Sequence, residues 1–134
     1  MSSRFEHVGI LVRDLERSKS IYCDLLGYRP FFETTVELPD IKRIVLLGKG
    51  SERIELMEMR GEQQAPTPTS TVSGLHHLCF DVDDLDKEAQ LCGAAGLKVI
   101  VTPQHGTVKV PSEEHWRRAV FEGPDGERIE FRGA

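Results

Sequence analysis

The stretch HVGILVRDL (residues 7–15) decides the fold, because HLCFDVDDL (residues 77–85) repeats its pattern 77 − 7 = 70 residues later. Both stretches run histidine, aliphatic, small and apolar, and both continue with Val, Asp and Leu at matching positions. A second pair, RIEL (53–56) and RIEF (128–131), follows in the same order, 128 − 53 = 75 residues apart. Two ordered matches at nearly equal offsets indicate an internal duplication.

The duplication predicts two modules, about 4–60 and 74–134, joined by a linker at 61–73 that is rich in Pro, Thr, Ser and Gln. A chain of 134 residues suits one compact domain, 1–134, built from both modules. Each module reads as βαβββ, which predicts an α+β fold. Helix 15–26 begins after Asp14 and ends before Gly27, and the second helix follows Asp83 or Asp84 and ends before Gly96.

Composition limits the classes of function. The net charge of −5 argues against a nucleic-acid partner, which usually meets a basic face. Apolar runs fall short of the roughly 20 residues that cross a bilayer, and the N-terminus has no apolar signal core, so we expect no membrane association and no export. An odd count of 3 cysteines without a CxxC spacing argues against disulfides or a zinc knuckle. These features predict a cytoplasmic protein.

The alternation of side chains along the strands places four polar residues on the sheet face opposite the helix of each module. On each first strand the aliphatic residues face the helix, so His7 and His77 face the opposite side of the sheet. On each last strand Glu55 and Glu130 alternate with apolar neighbours in the same way. If a pseudo-twofold axis relates the modules, two histidines and two glutamates converge.

Two carboxylates in a sheet concavity repel each other unless a cation lies between them. Two glutamates and two neutral imidazoles around one divalent ion form a neutral ligand set, and an octahedral ion keeps two positions for substrate. We therefore predict that His7, Glu55, His77 and Glu130 bind one metal, which is Ni, Co, Zn, Mn or Fe. The expected partner is a small molecule with two adjacent oxygens. The alternative is four ordinary, half-exposed strand residues.

Two arginines are candidate substrate-binding residues. Arg53 and Arg128 stand two positions before the glutamates and share their face. They could bind an anionic substrate group or the glutamates, or they could equally lie in solvent. Residues 102–114, which we assign to no element, could form a lid over the cavity.

The segments HVGILVRDLERSKSIYCDLLGY, RIELMEM, GLHHLCFDVDDLDKEA and GPDGERIEF resemble the vicinal oxygen chelate superfamily. The resemblance implies an open, U-shaped, eight-stranded mixed sheet with the helices on its outer face, and a homodimer. Members include glyoxalase I, methylmalonyl-CoA epimerase, extradiol dioxygenases, fosfomycin-modifying enzymes and metal-free bleomycin-binding proteins. His7, Glu55, His77 and Glu130 match the ligand pattern of bacterial glyoxalase I.

The resemblance implies a glyoxalase I-like lyase or isomerase. Glu130 or Glu55 would take a proton next to a carbonyl, and the metal would stabilise the enediolate. We expect desolvation by the apolar wall to raise the basicity of that glutamate. The alternatives are a methylmalonyl-CoA epimerase-like racemase, a binding protein that sequesters an antibiotic without chemistry, and an extradiol dioxygenase.

Overall fold

The computed structural model describes residues 3–61, 73–107, 110–111 and 115–134. Most of the predicted linker, at 62–72, lies outside the described residues, as do 108–109 and 112–114 of the segment predicted as a lid. The βαβββ order is confirmed in both modules. In the first module the elements are β1 Val8–Val12, α1 Leu15–Lys19 continued by a π-helical segment Ser20–Leu25, β2 Arg29–Thr35, β3 Ile41–Lys49 and β4 Glu52–Met59. In the second they are β5 Leu78–Asp81, α2 Leu85–Ala94, β6 Lys98–Gln104, β7 Arg117–Glu122 and β8 Arg128–Gly133.

The eight strands form two four-stranded mixed sheets with the same topology, one in each of two compact units, 1–65 and 66–134. The strand orders are β1-β4-β3-β2 and β5-β8-β7-β6. In each sheet the first and last strands of the module pair in parallel, and the remaining neighbours are antiparallel. The parallel pair brings each histidine next to the strand that carries its glutamate.

Each unit has an apolar core between its sheet and its helix. The alternation predicted for the last strands is confirmed, since Ile54 and Leu56 are buried in the first unit and Ile129 and Phe131 in the second. The helices supply matching contacts, with Leu15 and Leu85 fully buried at the same position of the repeat. Burial of one strand face directs Glu55 and Glu130 to the other face.

The helix of the first module differs from the prediction of one continuous α-helix over 15–26. It begins as predicted, because the Asp14 side chain accepts a hydrogen bond from the Arg17 amide at 3.2 Å. From Ser20 to Leu25 it is a π-helix. Apolar spacing does not distinguish the two over so few residues. The helix is followed by Gly27 at φ +83°, as predicted for its C-terminal cap.

In the second module, Asp84 is the capping residue of the two candidates, and it accepts from the Lys87 amide at 3.1 Å. Strand β5 begins at Leu78, where pairing with β8 starts. Strand β6 continues to Gln104, so part of the unassigned segment is strand.

One helix-to-strand ion pair occurs in both units at equivalent positions. In the first, Arg43 lies 3.2 Å from Glu16, and in the second, Arg117 lies 2.8 Å from Asp86. Within the described ranges, neither helix is long and apolar enough to span a membrane.

Candidate functional site: two histidine–glutamate pairs

The first pair joins His7, just before β1, to Glu55 on β4. The parallel register sets Val8 opposite Ile54, which brings the preceding histidine near the glutamate. His7 Nε2 lies 3.1 Å from Glu55 Oε2. The other ring nitrogen, Nδ1, contacts the Glu6 carboxylate. The hydrogen bond with Glu6 and the negative charges of Glu6 and Glu55 raise the pKa of His7 against the smaller effect of burial.

The second pair repeats this geometry. His77 precedes β5, and its Nε2 lies 3.3 Å from Glu130 Oε2 on β8. The second carboxylate oxygen, Oε1, accepts a hydrogen bond from Arg118 at 2.9 Å. The Glu130 side chain is more shielded than that of Glu55, at 12% against 20% exposure. Each module therefore holds one imidazole and one carboxylate close enough to share a proton or a cation.

The Glu130 carboxylate is more acidic than we expected. Burial raises its pKa, but hydrogen bonds from Arg118 and Cys79 and the charges of His77 and Arg118 outweigh burial, and the pKa is lowered. The expectation that desolvation makes this glutamate more basic is therefore wrong. Burial and the Glu130 charge also raise the pKa of the Cys79 thiol to about 12, so the thiol is a neutral donor.

The first pair borders a largely apolar cavity of about 280 Å³. Its lining comprises Glu6, His7, Phe31, Phe32, Thr34, Ile44, Leu46, Arg53, Ile54 and Glu55. Glu130 of the second pair borders a cavity of about 230 Å³ with a basic lining. That lining comprises Gly106, Val110, Trp116, Arg117, Arg118, Glu130 and Arg132. The two cavities belong to different units and contain the two glutamates.

The two arginines predicted to bind substrate lie in different settings. Arg53 lines the first cavity, where it contacts Glu6 at 3.1 Å and stacks over the Phe31 ring at 5.0 Å. Arg128 is paired in register with Glu122 and, in the described part of the chain, is not among the residues that line the second cavity. A substrate role for either arginine stays a prediction.

The structure brings the four predicted ligands together as two pairs, one in each unit. Among residues 3–61, 73–107, 110–111 and 115–134, no group of three or more His, Cys, Asp or Glu side chains is close enough to hold a metal. Binding of one metal by all four residues stays a prediction.

Sequence reasoning missed Arg118 and Arg132. The predicted substrate arginines stand two positions before the glutamates, whereas Arg132 stands two positions after Glu130 and Arg118 lies on the neighbouring strand. The signal lies in the repeat. Where the second module has Arg118 opposite Arg132, the first has Ile44 opposite Met57.

Comparison with known proteins agrees with this architecture. Residues 6–125 match the family model described as the Glyoxalase/Bleomycin resistance protein/Dioxygenase superfamily. The uncharacterized protein YaeR of Escherichia coli is 30% identical over 93% of this chain and 92% of its own length. The mitochondrial methylmalonyl-CoA epimerase of Mus musculus is 31% identical over 61% of this chain, and the match spans 47% of the epimerase.

A solved structure extends the comparison to the whole chain. The fosfomycin resistance protein FosX of Listeria monocytogenes, solved with Mn(II) and 1S,2S-dihydroxypropylphosphonic acid, superposes with a TM-score of 0.71 at 15% identity. The match covers 100% of this chain and 94% of FosX, and at that identity it shows a common fold. With its duplicated βαβββ modules and this family match, the chain belongs to the glyoxalase/bleomycin resistance protein/dioxygenase superfamily.

Proposed function

We propose that the protein is a metal-dependent, glyoxalase I-like lyase or isomerase that removes a proton next to a carbonyl. One observation carries the proposal. The same imidazole–carboxylate pair recurs in both modules, with Nε2–Oε2 distances of 3.1 Å for His7–Glu55 and 3.3 Å for His77–Glu130. A duplicated fold needs no such pair for packing, because the buried strand faces hold the apolar residues.

The chemistry of the donors fits a divalent cation. Each pair offers one nitrogen and one oxygen donor, and both carboxylates are largely shielded from solvent, at 20% exposure for Glu55 and 12% for Glu130. We propose that His7, Glu55, His77 and Glu130 bind one divalent ion, of an element that mixed nitrogen and oxygen ligands do not specify. Such an ion, when bound, polarises the substrate carbonyl as a Lewis acid.

The two glutamates are the proposed bases, and they are not equivalent. Glu130 is held by hydrogen bonds from Arg118 and Cys79, which lower its pKa. Glu55 lies beside His7 in the cavity that Phe31 and Phe32 line. The weaker anchoring favours Glu55 as the carboxylate that takes the proton, with Glu130 fixed in position.

An acyl-CoA epimerase is the second candidate. Its support is the 31% identity between this chain and methylmalonyl-CoA epimerase. Epimerisation also exchanges a proton next to a carbonyl. Because the match spans 47% of that enzyme, the substrate of the epimerase cannot simply be assigned to this chain. The two candidates share the reaction step and differ in the substrate.

Proton exchange tests both candidates in one format. Metal-free protein is reloaded separately with Ni, Co, Zn, Mn or Fe and incubated in D₂O with methylglyoxal plus glutathione, or with methylmalonyl-CoA. We expect deuterium at the carbon next to the carbonyl with one of the two substrates, detected by NMR.

Other outcomes would contradict the proposal. Oxygen uptake by the iron-loaded protein with a catechol favours the dioxygenase, and tight binding of bleomycin by metal-free protein favours the sequestering protein. Absence of exchange with every metal rejects both enzymes.

The pairing of the half-sites has its own test. One chain could use its own two pairs, or two chains could each supply one pair in the predicted homodimer. A mixture of His7→Ala and His77→Ala, refolded together, regains part of the exchange activity if sites form between chains. It stays inactive if each chain builds its own site.

A further inference from the structure

We infer that Glu6 and Arg53 are positioning residues of His7: Glu6 orients the imidazole, and Arg53 holds the Glu6 carboxylate. The inference deepens the proposed function, on which it rests for the ion that His7 would bind. The contacts themselves exist without that ion, so the two can be tested apart. The inference also gives Arg53 a role other than the predicted binding of substrate.

The two ring nitrogens of His7 face two different carboxylates. Nδ1 contacts Glu6 Oε2, and Nε2 lies 3.1 Å from Glu55 Oε2. A neutral imidazole carries one proton, and the hydrogen bonds of the ring decide which nitrogen holds it. Both carboxylates could accept that proton, but the contact with Glu6 is the shorter, so we assign the proton to Nδ1. Nε2 then presents its lone pair on the side of Glu55, as a histidine that binds a cation there must.

Arg53 holds the carboxylate that accepts from His7. Its Nη1 donates to Glu6 Oε1 at 3.1 Å, so the two oxygens of Glu6 are divided between the arginine and the imidazole. The guanidinium also lies over the Phe31 ring, 5.0 Å from its centre. The ring has room there because Gly48, the register partner of Arg53, has no side chain, and a Cβ at Gly48 would lie 3.3 Å from the ring. Stacking restrains the arginine, which in turn restrains Glu6.

The same ring atom is contacted in the second module. His76 occupies the position of Glu6 in the repeat, since 76 − 6 = 70. Its Nδ1 lies 2.9 Å from His77 Nδ1. In each module the side chain before the paired histidine therefore contacts Nδ1, and Nε2 lies toward a glutamate. Packing does not require the contact in the first module, because the Glu6 side chain is 58% exposed.

The tautomer of His7 tests the role of Glu6 without any metal. Protein freed of metal on a chelating resin, with isotope-labelled histidine, is examined by proton–nitrogen NMR at about pH 9, where imidazoles are neutral. We expect His7 to carry its proton on Nδ1 in the wild type. The Nε2–H form should increase in Glu6→Ala and, to a smaller extent, in Arg53→Met. His77 is the internal control, because its tautomer should change only if the variant is damaged more widely.

Metal affinity measures the consequence of this orientation. Calorimetric titration of metal-free protein with zinc chloride should give binding about 10–100-fold weaker for Glu6→Ala than for the wild type, the usual loss when a metal-binding histidine loses its hydrogen-bond partner. Glu6→Gln keeps an acceptor and should lose less, whereas an effect of charge alone would weaken both variants equally. Glu37→Gln is the control, because the Glu37 side chain is 98% exposed, and it should bind zinc like the wild type.

A double-mutant cycle tests whether Arg53 acts through Glu6. Arg53→Met should weaken zinc binding by about two- to fivefold, the effect expected from an exposed ion pair. Direct charge repulsion predicts the opposite sign, because removal of one cation favours the binding of another. In the Glu6→Ala background, Arg53→Met should cause no further loss. Arg17→Met changes an exposed arginine of helix α1 and is the control, with zinc binding like that of the wild type.

Three results would overturn the inference. They are an Nε2–H tautomer of His7 in the wild type, equal zinc affinity of Glu6→Ala and the wild type, or additive losses in the double variant. Absence of zinc binding by the wild type would reject the proposed metal site, and the tautomers of the metal-free variants would then decide the inference alone. Circular dichroism of each variant verifies that it folds.

Discussion

The two half-sites hold the same pair of side chains in opposite surroundings. His7 and Glu55 border an apolar cavity with Phe31 and Phe32, whereas Glu130, paired with His77, borders a cavity rich in arginine. The two pairs have nearly the same geometry, with Nε2–Oε2 distances of 3.1 and 3.3 Å, whereas the residues that line the two cavities differ. Because of this difference, the role proposed for the repeated pairs can be tested separately from the role of the residues around them.

The comparison also explains the unequal glutamates. Arg118 holds Glu130, while its counterpart in the first module is Ile44, which cannot donate a hydrogen bond to Glu55. The two carboxylates therefore differ in their hydrogen-bond partners, because the first module has Ile44 where the second has Arg118. Substitutions at equivalent positions of the two modules can break or sharpen this comparison.

The largest expected effect follows from neutralising the glutamates. Glu55→Gln and Glu130→Gln should each lower the rate of proton exchange by about 10²–10⁴-fold, because each removes a candidate base and a candidate ligand. The measurement is the exchange rate in D₂O together with the metal content of the purified variant.

Glu37→Gln serves as control, because the Glu37 side chain is 98% exposed. It should exchange at the wild-type rate. A Glu130→Gln variant with undiminished exchange would remove Glu130 from the mechanism and leave the two half-sites functionally unrelated.

A second prediction concerns Gly133, which stands where the first module has Glu58. A Cβ at Gly133 would lie 2.6 Å from the Val82 carbonyl oxygen, so Gly133→Ala should lower the free energy of unfolding by about 1–3 kcal/mol. Urea titration measures this loss. Gly93→Ala is the control, because a Cβ there meets nothing within 4 Å, and in helix α2 it should stabilise by up to about 1 kcal/mol. An equal loss in both variants would contradict the steric explanation.

The third prediction addresses Glu58 itself. Its carboxylate accepts a hydrogen bond from the Leu15 amide at 3.0 Å and contacts Arg43, and the side chain is only 12% exposed. Glu58→Ala should cost about 1–3 kcal/mol of unfolding free energy, because the helix amide loses its acceptor. Glu58→Gln, which keeps an acceptor, should lose less. Equal stability of the alanine variant and the wild type would show that the contact contributes nothing.

The smallest effect belongs to the ion pair between Asp86 and Arg117. The hydrogen bond and charge of Arg117 lower the pKa of Asp86. A lowered folded-state pKa gives stability that is present above the unfolded value of about 3.9 and lost as the pH falls through the folded value. Asp86→Asn should therefore be slightly less stable than wild type near neutral pH and equal to it in strong acid, as measured by urea titration at several pH values. A difference that grows on acidification would reverse the assigned sign.

Most of the fold followed from alternation and capping residues in the sequence. Asp14 and Asp84 begin the helices, Gly27 and Gly96 follow them, and the alternation about Glu55 and Glu130 gave the buried faces. The π-helical turn at Ser20–Leu25 was not predictable, because it differs from an α-helix in backbone hydrogen bonds and not in apolar spacing.

Each half-site was predictable because a histidine and a glutamate recur in register with the repeat. Arg118 was missed because it belongs to a strand that neighbours the glutamate strand, and register across strands is not visible within either strand alone. The lowered pKa of Glu130 was missed for the same reason, since Arg118 is among its causes.

Metal stoichiometry most directly tests the proposal that the two pairs bind one ion together. Elemental analysis after loading with nickel or manganese and gel filtration should give one ion per chain for the wild type, and nearly none for either His7→Ala or His77→Ala. Two ions per chain with one lost in each variant, or no bound metal in the wild type, would contradict a single ion held by both pairs.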